Sequence, residues 1–134
     1  MHLLRRRSFH LGIALLSAVP GLAFAADAGG PDARLAAAFG NTVTTTYPDG
    51  RTQKIWLRPD GTWTGLSRSR QPLAGSWTSK GDKVCLRQKK PPTLPFSYCT
   101  AFPADARVGA AWTSKDFVGT SIKLRLDPGA GSAN

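Results

Sequence analysis

The side chains that most often perform acid–base and nucleophilic chemistry are scarce in this chain. The sequence contains no Glu, and its two histidines, His2 and His10, lie within the first ten residues. Farther along the chain, a Ser-His-Asp or Cys-His arrangement would therefore lack its base. A zinc site would lack His, Glu or further Cys ligands beyond a single bridged pair of cysteines. We predict a protein that is not an enzyme and that holds no metal and no cofactor.

Asp and Tyr are the remaining candidates for chemistry. Asp49, Asp60 and Asp82 each stand next to a glycine, in turn patterns where Asp commonly hydrogen-bonds its own backbone. No segment has the spacing of a phosphate-binding P-loop. Catalysis by Asp, Lys or the tyrosines Tyr47 and Tyr98 would need a concave site, which the sequence alone does not reveal.

Residues 1–25 have the three-part pattern of a secretory signal peptide. Arg5, Arg6 and Arg7 form the basic region, an apolar run follows from Leu11 to Phe24, and Ala25 ends a small-x-small cleavage site. The apolar run is shorter than the roughly 20 residues that a membrane-spanning helix needs. We therefore predict cleavage before Ala26, a periplasmic or secreted product, and no membrane span in the mature chain.

Cleavage at this point would change the composition of the exported protein. Both histidines would leave with the signal peptide, and so would three of the 18 basic residues. The remaining 15 Lys and Arg residues face eight Asp, so the net charge falls from +10 to +7. A mature chain of 109 residues is long enough for one domain with one modest core.

The mature chain divides into three parts. Residues 26–39 form an N-terminal segment with a short predicted helix, Asp32–Phe39, and residues 40–126 form a β domain with a twofold hydrophobic period. Two Pro-Asp-Gly turns, starting at Pro48 and Pro59, lie 11 residues apart, which is the spacing of a β-meander. Residues 127–134 are predicted to be a disordered tail. The predicted strands are Asn41–Tyr47, Arg51–Leu57, Thr62–Leu66, Gly75–Ser79, Lys83–Gln88, Ser97–Phe102, Arg107–Thr113 and Thr120–Leu126.

These elements predict an all-β fold, with about eight antiparallel strands in a meander that forms a small barrel or a curled sheet. A two-layer sandwich has the same periodicity and stays open as an alternative. Alternation along the strands assigns one set of apolar side chains to the interior and basic side chains to the outside. The inward set is Ile55, Leu57, Val84, Leu86, Ile122, Leu124 and Leu126. The outward set is Lys54, Lys83, Arg87, Lys123 and Arg125.

The two cysteines, Cys85 and Cys99, are predicted to form a disulfide. Cys85 alternates with inward Val84 and Leu86, so it faces outward; if Phe96 and Tyr98 face inward, Cys99 faces outward as well. Neighbouring strands would then carry both thiols on one face, in an oxidising compartment where such pairs are usually bridged. A redox pair would more typically have Cys-x-x-Cys spacing.

Two groups of residues indicate binding. The first is a basic face, whose solvated and polyanion-binding interpretations both stay open. Its residues are Arg68, Arg70, Lys80, Lys83, Arg87, Lys89 and Lys90. The second is a set of four tryptophans, Trp56, Trp63, Trp77 and Trp112, which either fill the core or line a ligand site. Trp56 lies between inward residues, so we expect it outside the barrel beside Lys54, as an exposed contact or a rim residue.

The mature chain resembles a type of small secreted bacterial β-protein with no assigned activity. The resemblance spans residues 40–126 and implies a lipocalin-like curled sheet. The matching positions are Gly40-Asn41-Thr42, Tyr47, Asp60-Gly61, Gly75-Ser76-Trp77, Gly81-Asp82, Cys85 and Cys99. A shorter stretch, Trp77–Leu86, is similar to periplasmic inhibitors of secreted metalloproteases, which are small eight-stranded barrels with one disulfide. That similarity implies that the N-terminal segment, here residues 26–31, blocks a protease.

From these observations we expect a periplasmic, non-enzymatic binding module. Its predicted ligand is either a small apolar molecule inside the barrel or an anionic envelope polymer on the basic face. The alternative hypothesis is a protein inhibitor of a secreted protease. No nucleic-acid partner is expected, because the aromatic platform typical of single-strand binders is not evident beside the basic residues.

Overall fold

The structure is a computed structural model that describes residues 31–93 and 95–132. The predicted signal peptide, residues 1–25, and residues 26–30 of the N-terminal segment lie outside the described residues. Among the described residues, no helix combines the length and the hydropathy needed to span a membrane.

The protein is all-β apart from one short helical piece near the N-terminus. A helix of one and a half turns, α1 (Pro31–Leu35), continues into a 3₁₀ turn, Ala36–Ala38. The predicted helix is thus present, although its second half is 3₁₀ rather than α. The strands are β1 (Thr42–Thr46), β2 (Thr52–Leu57), β3 (Thr62–Leu66), β4 (Pro72–Lys80), β5 (Lys83–Lys90), β6 (Tyr98–Ala101), β7 (Ala111–Lys115) and β8 (Ser121–Asp127).

The eight strands form one antiparallel sheet that curls into a nearly closed barrel, rather than a two-layer sandwich. The strand order is β6-β5-β4-β3-β2-β1-β8-β7. Strands that follow each other in sequence pair with each other, except β6 and β7, which form the two edges of the sheet. The first and last strands, β1 and β8, also pair. The predicted meander is confirmed, and the position of its one unpaired seam is new.

The antiparallel topology divides the connections between two ends of the barrel. The short connections after β1, β3, β5 and β7 meet at one end, which we call the open end. Those after β2, β4 and β6 meet at the opposite end, which the helical piece closes. There Leu35 and Ala38 are fully buried, the Phe39 ring lies 5.9 Å from the Trp77 ring, and the Arg34 guanidinium donates to the Gly81 carbonyl.

Alternation along the strands produces the predicted dry interior. Ile55, Leu57, Val84, Ile122, Leu124 and Leu126 are buried, and Leu86 packs partly buried against them. The five basic residues predicted to face outward are all exposed. In contrast, Phe96 is half exposed rather than inward, because it lies in the connection before β6 and not in the strand itself.

The predicted disulfide is present. Cys85 of β5 and Cys99 of β6 are directly opposite each other in the sheet and are bonded, with a sequence separation of 14 residues. Their neighbours Val84, Leu86 and Tyr98 line the interior, so both cysteines lie on the outer face as predicted. The bridge fixes β6, an edge strand, to the rest of the sheet.

The position of Trp56 differs from the prediction in one respect. It lies on the outer face of β2, as predicted, but it is only 5% exposed. The chain after β8 crosses over the ring, and a Cβ added at Gly131 would overlap the indole. The indole N–H donates to the Thr42 hydroxyl at 2.8 Å, and that hydroxyl lies 2.7 Å from the Gly129 carbonyl.

The beginning of the predicted disordered tail therefore contacts the barrel. Asp127 is the last residue of β8, and the Gly129 N–H donates to the Asn41 side chain. Residues 127–131 form an outer flap over Trp56 that local composition does not predict. Residues 133 and 134 of that segment lie outside the described residues.

Candidate functional site

The barrel interior contains a cavity of about 240 Å³ that opens toward the open end. Small-molecule sites are typically clefts of about 300–1,000 Å³ with mostly apolar linings and a few polar groups. The cavity volume lies below this range, so it suits a compact ligand. Its apolar lining is formed by Val43, Ile55, Leu57, Trp63, Val84, Leu86, Phe102, Phe117, Ile122 and Leu124. Its polar lining is formed by Thr45, Tyr47, Gln53, Gln88, Tyr98, Thr100 and Asp116.

Most of the polar lining lies at the open end. Tyr47, Gln53, Gln88 and Tyr98 are at or near the strand ends that reach this end, and Asp116 begins the turn between β7 and β8. The deeper wall is almost entirely aliphatic and aromatic, with Thr45 and Thr100 as its polar members. A molecule in the cavity would meet apolar surface over its inner part and hydrogen-bonding groups at the mouth.

Tyr47 is the best-defined polar group at the mouth. Its hydroxyl points to the Gln53 side-chain oxygen at 3.4 Å, and the Arg68 guanidinium lies 4.1 Å from its ring centroid. Burial raises the pKa of Tyr47, an effect that the nearby Arg68 partly opposes. The hydroxyl therefore stays protonated at neutral pH and serves as a hydrogen-bond donor rather than as a base.

Asp116, the acid at the mouth, is committed to its own turn. Its Oδ1 accepts hydrogen bonds from the backbone N–H groups of Val118 and Thr120, at 3.0 and 2.7 Å. The carboxylate therefore shapes the β7–β8 turn through Oδ1, while Oδ2 accepts no hydrogen bond from the described residues. The β7–β8 turn places Phe117 at the rim of the cavity.

The seam between β6 and β7 forms one side of the cavity wall. No backbone ladder joins these edge strands in the described part of the chain. Side chains connect them instead: the Thr100 and Ser114 hydroxyls lie 2.6 Å apart, and the Tyr98 hydroxyl donates to the Lys115 carbonyl. Tyr98 and Thr100 both line the cavity, so the seam is closed by groups that a ligand would also contact.

The four tryptophans do not form one ligand site. Trp63 lines the cavity, and its indole N–H donates to the Ser76 carbonyl at 3.0 Å. This ring crosses the sheet next to Gly75, where any Cβ would collide with it and with the facing backbone. Trp56 is outside the barrel under the C-terminal flap, which leaves Trp77 and Trp112 for the packed core.

Trp77 and Trp112 fill the interior away from the cavity. The Trp77 indole N–H donates to the Arg58 carbonyl at 2.8 Å, and its ring packs on the N-terminal helical piece. The Trp112 ring meets Phe102 edge-on at 5.1 Å. The Trp112 Nε1 is buried without a partner among the described residues, so this N–H is an unpaired donor inside the barrel.

The seven residues of the predicted basic face are exposed but do not form one patch. Arg68, Arg70, Lys89 and Lys90 lie toward the open end, whereas Lys80 and Lys83 flank the β4–β5 turn at the opposite end. Arg87 lies between these two groups on β5. The long β4 and β5 strands separate residues that the sequence places close together.

Two basic residues outside the predicted set join the open-end group. Arg51 and Lys54 line a polar hollow of about 310 Å³ together with Arg68 and Arg70. They come from β2 and the turn before it, and the sheet brings them beside the β3–β4 turn. A local cluster of basic residues in the sequence does not predict this grouping, because Arg51 and Lys54 are separated in sequence from Arg68 and Arg70.

Two of the turn Asp residues, Asp49 and Asp60, hydrogen-bond to the backbone of their own turns, as the sequence predicts. Asp49 accepts from the Arg51 backbone N–H at 2.9 Å and forms an ion pair with the same residue. Asp60 accepts from the Thr62 N–H and hydroxyl. These hydrogen bonds lower the pKa of both carboxyl groups. Among the described residues, no group of three His, Cys, Asp or Glu side chains is placed to hold a metal ion.

The barrel thus encloses a cavity with an apolar depth and a polar mouth. Comparison with known proteins adds no identification: no family model matches the chain, and no curated protein and no solved structure is significantly similar to it. The resemblances to secreted β-proteins and to protease inhibitors therefore remain predictions from the sequence.

Proposed function

We propose that the protein is a non-enzymatic binding module that holds one small, mainly apolar ligand inside the barrel. The observation that carries the proposal is the open interior cavity with its apolar depth and polar mouth. A barrel of eight strands has just enough interior room for side chains or for one small ligand. Three tryptophans, Trp63, Trp77 and Trp112, occupy the interior, yet space remains among the side chains that line the cavity.

The proposed ligand is amphipathic, with its apolar part innermost. Apolar surface is removed from water at a gain of about 25 cal/mol per Å², so burial in the deep part of the cavity supplies most of the affinity. The Tyr47 hydroxyl and the Gln53 and Gln88 amides at the mouth would pair the polar end of the ligand. The disulfide is consistent with a periplasmic or secreted protein, and that location remains part of the proposal.

Extraction of the purified protein with organic solvent, followed by mass spectrometry, tests this function. We expect one apolar molecule per protein chain in the extract. The variant Leu86→Trp places a larger ring in the cavity and should lose that molecule. The matched control is Leu66→Trp, because Leu66 lies on the outer face beside the polar hollow. An extract without ligand from the wild type, or an equal yield from Leu86→Trp, would contradict the proposal.

The other two predicted functions have separate tests. The inhibitor hypothesis depends on residues 26–31, which, apart from Pro31, lie outside the described residues. It predicts that deletion of residues 26–31 abolishes protease inhibition. Binding of a soluble anionic polymer predicts a steep salt dependence, measurable with lipopolysaccharide; a flat salt response would count against it.

A further inference from the structure

The open end of the barrel carries a cluster of exposed apolar side chains, which we call the mouth patch. It consists of Phe96, Phe117 and Val118, which are 51%, 65% and 78% exposed. The two Phe rings stack almost in parallel with centroids 5.7 Å apart. They come from different connections, β5–β6 and β7–β8, so the fold brings them together. Phe117 also lines the cavity, so the mouth patch borders its entrance.

Cationic side chains share this end with the mouth patch. The exposed ones include Arg51, Lys54, Arg68, Arg70, Lys89 and Lys90. Two acids are nearby: Asp49 pairs with Arg51, whereas Asp116 accepts backbone hydrogen bonds within its own turn, which carry no compensating charge. The basic residues outnumber these two acids. The open end therefore presents apolar rings and an excess of positive charge on one surface.

We propose that the open end docks on the surface of an anionic lipid bilayer. Aromatic and aliphatic side chains partition into the headgroup region, while basic side chains are attracted by anionic lipids. A soluble polyanion would need only the cations and would leave the mouth patch in water. Docking in this orientation turns the cavity entrance toward the lipid, so a ligand passes between bilayer and barrel without crossing water. This transfer role rests on the proposed interior ligand, whereas the docking itself does not.

Vesicle flotation tests the docking. We expect the wild-type protein to float with vesicles of equal parts phosphatidylcholine and phosphatidylglycerol, and to float much less with pure phosphatidylcholine. Raising the salt shortens the screening length from about 10 Å at 0.1 M to about 3 Å at 1 M, so binding should weaken but not vanish. Equal flotation with both vesicle types, or none with either, would overturn the proposal.

Paired variants separate the two contributions. Lys89→Gln with Lys90→Gln should lower the partition coefficient on the order of 25-fold, since each basic residue near an anionic surface contributes about fivefold. The matched control, Lys80→Gln with Lys83→Gln, makes the same charge change at the opposite end and should bind like the wild type. An equal loss in both pairs would mean that net charge alone drives adsorption, and would overturn the docking orientation.

The mouth patch has its own control. Phe96→Ser with Val118→Ser removes exposed apolar surface at two positions outside the cavity lining and should lower flotation with anionic vesicles several-fold. Val108→Ser serves as control, because Val108 is 47% exposed at the opposite end. An unchanged partition coefficient for the Phe96/Val118 variant would overturn the proposal. The ligand yield of the Val118→Ser single variant reports independently on the proposed function, because Val118 is outside the cavity lining.

Discussion

A hydroxyl on β1 joins the barrel to its C-terminal flap, and its removal gives the sharpest test of the packing. Thr42 Oγ1 accepts from the Trp56 indole N–H at 2.8 Å and donates to the Gly129 carbonyl at 2.7 Å. Thr42→Val keeps the shape and the strand preference of the side chain but leaves the indole N–H without an acceptor. Trp56 is 5% exposed, so water cannot easily replace the lost partner.

The expected cost follows from that burial. An unpaired buried donor costs about 1–3 kcal/mol, while the exposed Gly129 carbonyl can turn to water and adds little. We expect Thr42→Val to lower the free energy of unfolding by about 1–3 kcal/mol, measured by urea unfolding with an unchanged m-value. Each kcal/mol corresponds to a Tm decrease of roughly 4–8 °C in a domain of this size.

Two further variants show whether the loss comes from this contact. Thr46→Val makes the same change on the same face of β1, where the hydroxyl has no hydrogen bond among the described residues, and should stay within about 0.5 kcal/mol of the wild type. Trp56→Phe removes the donor instead. The double variant Thr42→Val/Trp56→Phe should lose less than the sum of the two single losses. A Thr42→Val protein as stable as the wild type would refute the reasoning.

Three other predictions concern the disulfide, an unpaired donor and an acidic group. Replacing both cysteines by serine should lower the free energy of unfolding by about 3 kcal/mol; an equally stable variant would contradict this. Trp112→Phe should cost less stability than Trp63→Phe, because the Trp112 N–H has no hydrogen-bond partner to lose among the described residues; the reverse order would show that this donor is satisfied. The ion pair with Arg125 lowers the pKa of Asp127 below its ordinary value of 3.8, so the unfolded chain binds protons first as the pH falls. The free energy of unfolding should therefore decrease as the pH drops through 3.8 and below, less steeply in Asp127→Asn, and identical acid profiles would contradict this assignment.

The alternation of apolar and polar side chains along the strands makes most of the fold predictable from the sequence. Ile55, Leu57 and the residues flanking Cys85 lie on the predicted faces, since a β-strand allows only two orientations. The disulfide follows from the same alternation. The location of the seam does not follow from it, because β6 and β7 have ordinary strand patterns and differ only in how far the sheet curls.

Properties that depend on distant segments are the ones that local pattern does not predict. Trp56 is buried by residues about 75 positions away in the chain. Its position on the outer face therefore led to the wrong prediction that the ring is exposed. The basic residues from Arg68 to Lys90 are separated because two long strands carry them to opposite ends. The cavity depends on the summed volume of inward side chains from all eight strands, which periodicity does not measure.

Titration of the delipidated protein with 1-aminoanthracene, a compact apolar fluorophore with one amine group, tests the interior site most directly. We expect saturable binding of one probe per chain by the wild type and by the outer-face variant Leu66→Trp. Leu86→Trp should bind at least about tenfold more weakly, a loss of roughly 1.4 kcal/mol. Binding that is absent in the wild type, or unchanged in Leu86→Trp, would contradict a ligand inside the barrel.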